Sequence, residues 1–204
     1  MADGLRHGAD GRVRCAWCGE DPLYLAYHDR EWGRPTADER YLFEKLCLEG
    51  FQAGLSWLTI LRKREAFRRA FARFEAEALV RFGPEDVTRL LADAGIVRHR
   101  GKIESVLNNA LRYLELRAEA GSLHAFAQRF APAPRARRLD WADLRALGKT
   151  PESTALSREL RRRGWSFVGP TTVYAFMQAV GLVDDHVAGC WVPAAGIDKP
   201  GRLP

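Results

Sequence analysis

Residues 164–172 decide the fold, and they read Gly-Trp-Ser-Phe-Val-Gly-Pro-Thr-Thr. A basic stretch precedes this segment, and an apolar run over residues 173–182 follows it. Two helices joined by a short turn that contains two glycines are typical of a helix-hairpin-helix. The basic residues before the turn are Arg158, Arg161, Arg162 and Arg163.

The predicted hairpin has the features of a DNA-backbone contact. Gly164 and Gly169 lack side chains, so the main chain there can approach a phosphate closely. The N–H groups of Thr171 and Thr172 lie at a helix N-terminus, where anions bind. We therefore expect these four residues to contact DNA.

The composition favours a folded, basic protein. The 204 residues, of which 47% are hydrophobic, suffice for one domain or two small ones. The net charge of +6 favours a polyanionic partner, although it is also typical of a merely arginine-rich protein. No apolar run approaches the ~20 residues of a membrane span, and residues 1–14 contain no apolar segment of a signal peptide. The four cysteines then favour the reducing cytoplasm, with thiol or metal roles and not disulfides.

Helix signals extend over most of the chain, and the sequence predicts an all-α fold. Apolar side chains recur at helical spacing between capping residues and glycine or proline breaks. We expect a disordered tail over residues 1–12, a loop over 131–138 and an irregular tail over 193–204. The predicted helices span residues 38–49 (ended by Gly50), 56–71, 84–95, 103–121, 122–130 and 151–163, and another follows residue 169.

Two cysteine–histidine pairs near the two ends of the chain have the composition of a zinc site. Cys15 with His28 and His186 with Cys190 make a Cys2His2 set, which is common in structural zinc sites. The second pair is spaced i, i+4, on one face of a predicted helical turn. Four protein ligands leave no open position, so such a metal is structural. Cys18 is an alternative ligand, and buried thiols beside hydrogen-bonded histidines are the alternative without a metal.

Aromatic side chains are dense in the first 57 residues of the chain. An extruded base needs flat rings to stack on and a few hydrogen-bonding groups, although the same rings are typical of an ordinary core. Glu49 is the sole charge in residues 48–57, so it is either a helix-end residue in water or a buried acceptor. The aromatic residues are Trp17, Tyr24, Tyr27, Trp32 and Trp57.

Residues 52–55 suit a tight loop between two helices. Two glycines, Gly50 and Gly54, flank Gln52 and are followed by Leu55. Apolar side chains on such loops can enter a duplex and fill the space left by an extruded base. The segment therefore predicts a loop that probes DNA, through Gln52, Gly54 and Leu55.

Together these motifs resemble the DNA-3-methyladenine glycosylase I family, the constitutive bacterial type in the helix-hairpin-helix glycosylase superfamily. The resemblance covers residues 15–190, and its motifs are long and occur in the family's order. They are residues 21–33 (Asp-Pro-Leu-Tyr-Leu-Ala-Tyr-His-Asp-Arg-Glu-Trp-Gly), 48–57, 93–103, 167–172 and 185–190.

The resemblance implies a fold, an activity and roles for the residues above. The implied fold is an all-α helix-hairpin-helix glycosylase unit over residues 13–192, with the base pocket between two helical subdomains. A structural zinc on Cys15, His28, His186 and Cys190 ties the two termini, which makes Cys18 an extra thiol. Glu49 recognises the base, Tyr27 and Trp57 stack on it, and Trp17, Tyr24 and Trp32 complete the pocket wall.

The implied activity is base excision repair by a monofunctional glycosylase. Such an enzyme extrudes 3-methyladenine from double-stranded alkylated DNA, hydrolyses its glycosidic bond and leaves an abasic site. The expected partners are that DNA and the free base, for a monomer that does not associate with membranes. A lysine that would attack the sugar is absent from residues 169–172.

One position departs from related glycosylases, and two other functions remain open. Many members of the superfamily carry a catalytic aspartate where this chain has Asp184, whereas members of the resembled family often lack it. We expect Asp184 to be a solvated helix cap, and the alternative is that it supplies charge near the sugar. A non-enzymatic DNA-binding module would use the hairpin alone and would need neither Glu49 nor an aromatic pocket. A zinc hydrolase would need an open coordination position, which four protein ligands deny.

Overall fold

The structure is a computed structural model that describes residues 3–193, and helices make up most of it. Two short antiparallel strands, β1 Leu5–His7 and β2 Val13–Cys15, precede them. The helices are α1 Pro22–Arg30, α2 Glu39–Gln52, α3 Trp57–Ala70, α4 Ala76–Leu79, α5 Pro84–Ala92, α6 Arg100–Ala120, α7 Leu123–Gln128, α8 Trp141–Ala146, α9 Pro151–Arg162 and α10 Pro170–Ala179. Short 3₁₀ turns lie at Ala16–Cys18 and Ala72–Phe74.

Local capping explains where several helices begin. The side chains of Asp21, Asp38 and Ser56 accept hydrogen bonds from backbone N–H groups in the first turns of α1, α2 and α3. Thr150 does the same for α9, and Pro151 occupies the first helical position. These bonds satisfy donors that a helix leaves free at its N-terminus. The predicted starts at Ser56 and Thr150 are therefore confirmed.

The second helix is the central element of the fold. Residues 42–51 of α2 are all buried, which is expected of a helix surrounded by other helices. It packs against α3, α6, α7 and α10. The prediction that Gly50 ends this helix is wrong, because α2 continues to Gln52. A Cβ atom at Gly50 would lie 3.3 Å from Cβ of Phe167, so the glycine allows a close approach between α2 and the turn before α10.

Helices α9 and α10 pack against each other and are joined by residues 163–169. Gly164 has φ of 83°, a conformation that glycine adopts without strain, and it directly follows the C-cap Arg163. The turn is held from two sides. Ser157 donates from Oγ to the carbonyl oxygen of Val168 at 2.6 Å, and Asn109 of α6 bonds both main-chain polar groups of Ser166.

The N-terminal segment corrects the sequence prediction. A disordered tail was expected over residues 1–12, yet residues 3–12 are described and include β1, which pairs with β2 from Leu5 opposite Cys15 to His7 opposite Val13. The backbone N–H of Gly8 donates to the carbonyl oxygen of Arg12 and closes the connection between the strands. Strands of three residues carry too little alternation to be found from sequence. The predicted tail at 193–204 lies, apart from residue 193, outside the described residues.

One large apolar core runs through the helical part of the described chain. A second, smaller cluster joins the two ends of the chain through Cys15, Val187, Cys190 and Val192. Over residues 3–193, none of the helices combines the length and the apolarity that crossing a membrane requires. The division into two helical subdomains stays a prediction.

Candidate functional site

Residues of α1, α2, α3, α8 and α10 line a cavity of about 210 Å³. The five aromatic residues singled out from the sequence all line it, together with Glu49 and Gln52. These residues come from three separate parts of the first sixty positions, and folding brings them to one place. The lining is Trp17, Tyr24, Tyr27, Trp32, Glu49, Gln52, Trp57, Trp141, Leu144, Ala175, Gln178, Asp185 and Val187.

The aromatic rings form a continuous wall. The ring centroid of Trp17 lies 5.1 Å from that of Tyr24 and 4.9 Å from that of Trp32. The rings of Tyr27 and Trp57 are 5.4 Å apart, and Tyr24 stacks on Tyr27 at 6.4 Å. Side chains that contact one another in this way hold each other's orientation. The wall therefore presents preformed flat apolar faces to the cavity.

Glu49 contributes a carboxylate to this cavity, and it is nearly inaccessible, with 5% of its surface exposed. It lies in the last turn of α2, where its Oε1 is 3.3 Å from Nζ of Lys45. Burial raises the pKa of Glu49, and the charge and hydrogen bond of Lys45 oppose that rise. The alternative of a helix-end residue in water is therefore excluded by its burial.

The loop between α2 and α3 lies beside the cavity. Gly54 has φ of 81°, and Leu55 is 42% exposed. Lys102 of α6 fixes the base of the loop, because its Nζ donates to the carbonyl oxygens of Phe51 and Ala53. The exposed side chain of Leu55 therefore lies close to Gln52 in a loop whose main chain is fixed by Lys102.

Cys15, His28, His186 and Cys190 form one buried group, as the sequence predicted for a metal site. One ligand atom from each lies within 4.8 Å of the other three. Sγ of Cys190 is 3.6 Å from Nε2 of His28 and from Nδ1 of His186. Zinc bonded tetrahedrally to sulfur and nitrogen separates the two ligand atoms by about 3.6 Å, given its usual bond lengths. The group therefore has the size of a zinc site.

Both histidines are oriented by their second ring nitrogen. Nδ1 of His28 is 2.8 Å from Oδ1 of Asp29, and Nε2 of His186 is 3.3 Å from the carbonyl oxygen of Trp32. Each imidazole can donate through that nitrogen and keep its other nitrogen as a metal ligand. Arg14 and Trp191 in turn donate to Asp29.

The two thiols of the group interact directly. Hydrogen bonding between them raises the pKa of Cys15 and lowers that of Cys190. The alternative ligand Cys18 points elsewhere, because its Sγ donates to the carbonyl oxygen of Cys15 at 3.1 Å. The prediction that His186 and Cys190 share a helical turn is wrong, since residues 184–190 are a non-helical segment.

Comparison with known proteins decides the family. The family model for methyladenine glycosylase matches residues 17–193. The chain is 47% identical to DNA-3-methyladenine glycosylase 1 of Escherichia coli (strain K12), over 87% of this chain and 95% of that protein. The chain belongs to the methyladenine glycosylase family. The resemblance noted from its motifs is thereby confirmed.

Other relatives agree with this family. The chain is 44% identical to the DNA-3-methyladenine glycosylase of Haemophilus influenzae (strain ATCC 51907 / DSM 11121 / KW20 / Rd), over 87% of this chain and 96% of that protein. A solved structure of a variant 3-methyladenine DNA glycosylase I in complex with 3-methyladenine superposes with a TM-score of 0.83. Its sequence is 38% identical, and the match covers 88% of this chain and 97% of that one.

The adjacent residues Asp184 and Asp185 make different contacts, which the sequence did not predict. We expected Asp184 to be a solvated helix cap, but residues 184–190 are not helical. Asp184 instead pairs with Arg138 and accepts a hydrogen bond from the backbone N–H of His186. Asp185 is the residue that lines the cavity. Its buried carboxylate accepts from the hydroxyl of Tyr174 and from Nε2 of Gln178.

Sequence reasoning also missed the part of the cavity wall formed by α8 and α10. Trp141 and Leu144 come from α8, a helix of six residues that was not predicted, although Asp140 caps it. Ala175 and Gln178 lie on the cavity side of α10. Lys45, which contacts Glu49, was missed too. Its signal was available, because residues spaced i, i+4 share one face of a helix.

Proposed function

We propose that this protein is a DNA repair glycosylase that excises 3-methyladenine from alkylated DNA. The observation that carries this proposal is the carboxylate of Glu49, which lines the cavity beside the aromatic rings and is 5% exposed. Methylation at N3 makes the adenine cationic, and a buried carboxylate is a favourable partner for a cation in a site with little water. The 3-methyladenine complex of a relative that is 38% identical supports the same substrate.

The pocket residues account for recognition of the base. The rings of Tyr27 and Trp57 offer stacking faces, and Glu49 accepts a hydrogen bond from the exocyclic amine of adenine. Guanine carries a carbonyl oxygen where adenine has its amine, so the same carboxylate repels guanine.

The chemical step needs little help from an acid. Because the methylated base is already cationic, its bond to the sugar is weak and the base needs no protonation. Water attacks C1′, the bond to the base breaks, and the bonding electron pair leaves with the base and neutralises its charge. The water proton passes to solvent. Stabilisation of positive charge by the buried carboxylate is then the main contribution of the protein.

The α9–α10 turn is the proposed DNA contact, as a helix-hairpin-helix. Gly164 and Gly169 lie at the surface of this turn, and the side chain of Thr171 at the start of α10 is exposed. The backbone N–H groups of Thr171 and Thr172 belong to the first helical turn, where a phosphate can accept from them. Leu55, on the loop beside the cavity, would fill the gap left by the extruded base.

Gly169→Val should weaken binding to undamaged DNA of any sequence by roughly tenfold, the effect of losing one hydrogen bond to a charged group. The fold should survive, because Gly169 has φ of −62° and an added Cβ would meet only the end of Arg161, at 3.3 Å. Fluorescence anisotropy with a duplex at several salt concentrations measures the affinity, which should fall steeply with salt.

Gly83→Val is the matched control for the hairpin. Both Gly83 and Gly169 are the N-cap residue of a helix, α5 and α10 respectively, and each is followed by a proline. A Cβ atom added at Gly83 would meet nothing within 4 Å. This variant should bind DNA normally. Equal binding by the Gly169→Val protein would remove the hairpin as the DNA contact.

The four-residue cysteine–histidine group is proposed to hold a structural zinc ion. Its donor set fits zinc, its separations match tetrahedral bond lengths, and carboxylate and carbonyl partners orient both imidazoles. Zinc bound there would join the N-terminal strand pair β1–β2 to residues 186–190. With all four positions taken by protein, the metal would organise the wall next to Trp32 without taking part in excision.

The protein is proposed to lack lyase activity, because residues 169–172 offer no amine that could attack the sugar. Lys45 is the amine near the pocket, and it is buried and engaged with Tyr27 and Glu49. The protein should therefore release free 3-methyladenine from methylated DNA and leave an uncut abasic strand. Chromatography of the released base and gel analysis of the strand measure the two products.

The same reaction separates the remaining alternatives. A DNA-binding module would release no base, and a lyase would nick the strand and give a covalent protein–DNA adduct on borohydride treatment. An adduct in that assay would contradict the monofunctional reaction. The double-stranded substrate, the cytoplasmic location and the monomeric state stay predictions.

A further inference from the structure

The buried lysine behind the pocket has no place in the reaction described so far. Lys45 is 3% exposed and lies one helical turn before Glu49 on α2. Its Nζ is 3.3 Å from Oε1 of Glu49 and 2.5 Å from the hydroxyl of Tyr27. The same ammonium lies 3.4 Å from the ring centroid of Trp57 and 4.5 Å from that of Tyr27. One cation thus contacts the carboxylate and the two rings proposed to hold the base.

The surroundings of this pair contain few other charges. Glu31, which follows α1, attracts Lys45, and Arg64 of α3 repels it. Glu31 and Arg64 form an ion pair with each other. The other titratable groups near Glu49 are the hydroxyls of Tyr24, Tyr27 and Tyr41. Across the cavity, Asp185 pairs with Arg135. Lys45 is therefore the cation that faces Glu49 directly.

We propose that Lys45 is a positioning residue that acts as the resident counterion of Glu49 and keeps this carboxylate ionised while the pocket is empty. The inference rests on the proposed role of Glu49 in binding the base. A cationic base that enters the pocket takes over the same carboxylate from Lys45. Once the glycosidic bond breaks, the base is neutral, and Glu49 returns to the lysine, which favours release of the product.

The direction of the effect follows from burial. Burial alone favours the uncharged form of each partner, so it raises the pKa of Glu49 and lowers the pKa of Lys45. Attraction between the two charges opposes both changes. Without Lys45, Glu49 keeps the effect of burial and loses the opposing charge. Its pKa rises further, and it takes up a proton at a higher pH than in the wild type.

Lys45→Met tests this with a side chain of similar length and no charge. In protein labelled with carbon-13 at the glutamate carboxyls, the Glu49 signal is identified by its loss in Glu49→Gln. Its titration midpoint should move up by about one pH unit or more in the methionine variant, as expected when an opposite charge nearby is removed. Single-turnover excision should lose activity at low pH over the same range and recover as the pH rises.

Two further variants control the experiment. Lys45→Gln keeps a donor for Tyr27 without the charge and should shift the midpoint in the same direction. Lys63→Met removes one positive charge from α3, where Nζ of Lys63 donates to the carbonyl oxygen of Ala94, and it should leave both profiles unchanged. If the Lys45 variants do not fold, the reciprocal measurement remains: the titration midpoint of Lys45 should fall in Glu49→Gln.

The outcomes separate this inference from the proposed function. Unchanged midpoints for Glu49 in both Lys45 variants, or for Lys45 in Glu49→Gln, would overturn the pairing. A shifted Glu49 midpoint with an unshifted excision profile would keep the pairing and overturn the role of Glu49 in excision. Parallel shifts of both support Lys45 as the counterion that prepares the carboxylate for the base.

Discussion

Glu49→Gln will slow single-turnover excision of 3-methyladenine by about ten- to a hundred-fold, the effect of losing one charged hydrogen bond in a dry site. Glutamine keeps the shape of the side chain, loses its charge and turns part of the acceptor into a donor. The variant should also bind free 3-methyladenine poorly. Lys45 then loses its partner, and its lowered pKa allows it to become neutral and stay buried. The protein should therefore remain folded and keep its metal.

Asp184→Asn is the control variant for Glu49→Gln, because it removes a different carboxylate. The carboxylate of Asp184 pairs with Arg138 and accepts from the N–H of His186, so it supports the segment that carries the proposed metal ligand His186. Its substitution should affect thermal stability more than excision. Both variants are measured on the same alkylated duplex under single-turnover conditions. A severe loss in Asp184→Asn with nearly normal excision by Glu49→Gln would reverse the assigned roles.

Cys190→Ser will destabilise the protein and lower its zinc content together. Loss of a metal ligand is among the substitutions that cost about 4 kcal/mol or more, which corresponds to a melting temperature lower by roughly 8–16 °C for a chain of this size. The reason is that the folded protein binds the metal and the unfolded chain binds it weakly, so binding free energy becomes folding free energy. Thermal melts and metal analysis of the purified protein measure both effects.

Cys18→Ser is the matched control for the metal site. Cys18 is as buried as Cys15, and its Sγ donates to the carbonyl oxygen of Cys15, a bond that a serine hydroxyl can also make. This variant should keep its zinc and melt near the wild-type temperature. A full complement of zinc in the Cys190→Ser protein would exclude His186 and Cys190 as a ligand pair.

Several features of the fold could be predicted because their causes are local. Ser56, Thr150 and Pro170 mark helix starts through bonds and backbone angles within one turn of the chain. Gly164 in the turn between α9 and α10 is similar, since a positive φ directly after a helix is a local requirement. The error at Gly50 has a non-local cause. The glycine allows the close approach of Phe167, which lies more than a hundred residues further along the chain.

The site shows the same division. The sequence by itself indicated Cys15 and Cys190 as candidate metal ligands, and it indicated the aromatic residues and Glu49 as candidate pocket residues. These side chains have few chemical uses in such combinations. Folding alone showed that the cysteines meet, with Sγ of Cys15 3.7 Å from Nδ1 of His186, a residue 171 positions away.

Tertiary structure also decided which of two adjacent aspartates faces the pocket. Residues 184 and 185 are chemically alike, and a non-helical turn directs Asp185 to the cavity and Asp184 to Arg138. Trp141 likewise reaches the pocket from a short helix that packs beside the N-terminal strands. The physical reason is that capping and spacing act over a few residues, whereas the direction of a side chain depends on packing between distant segments.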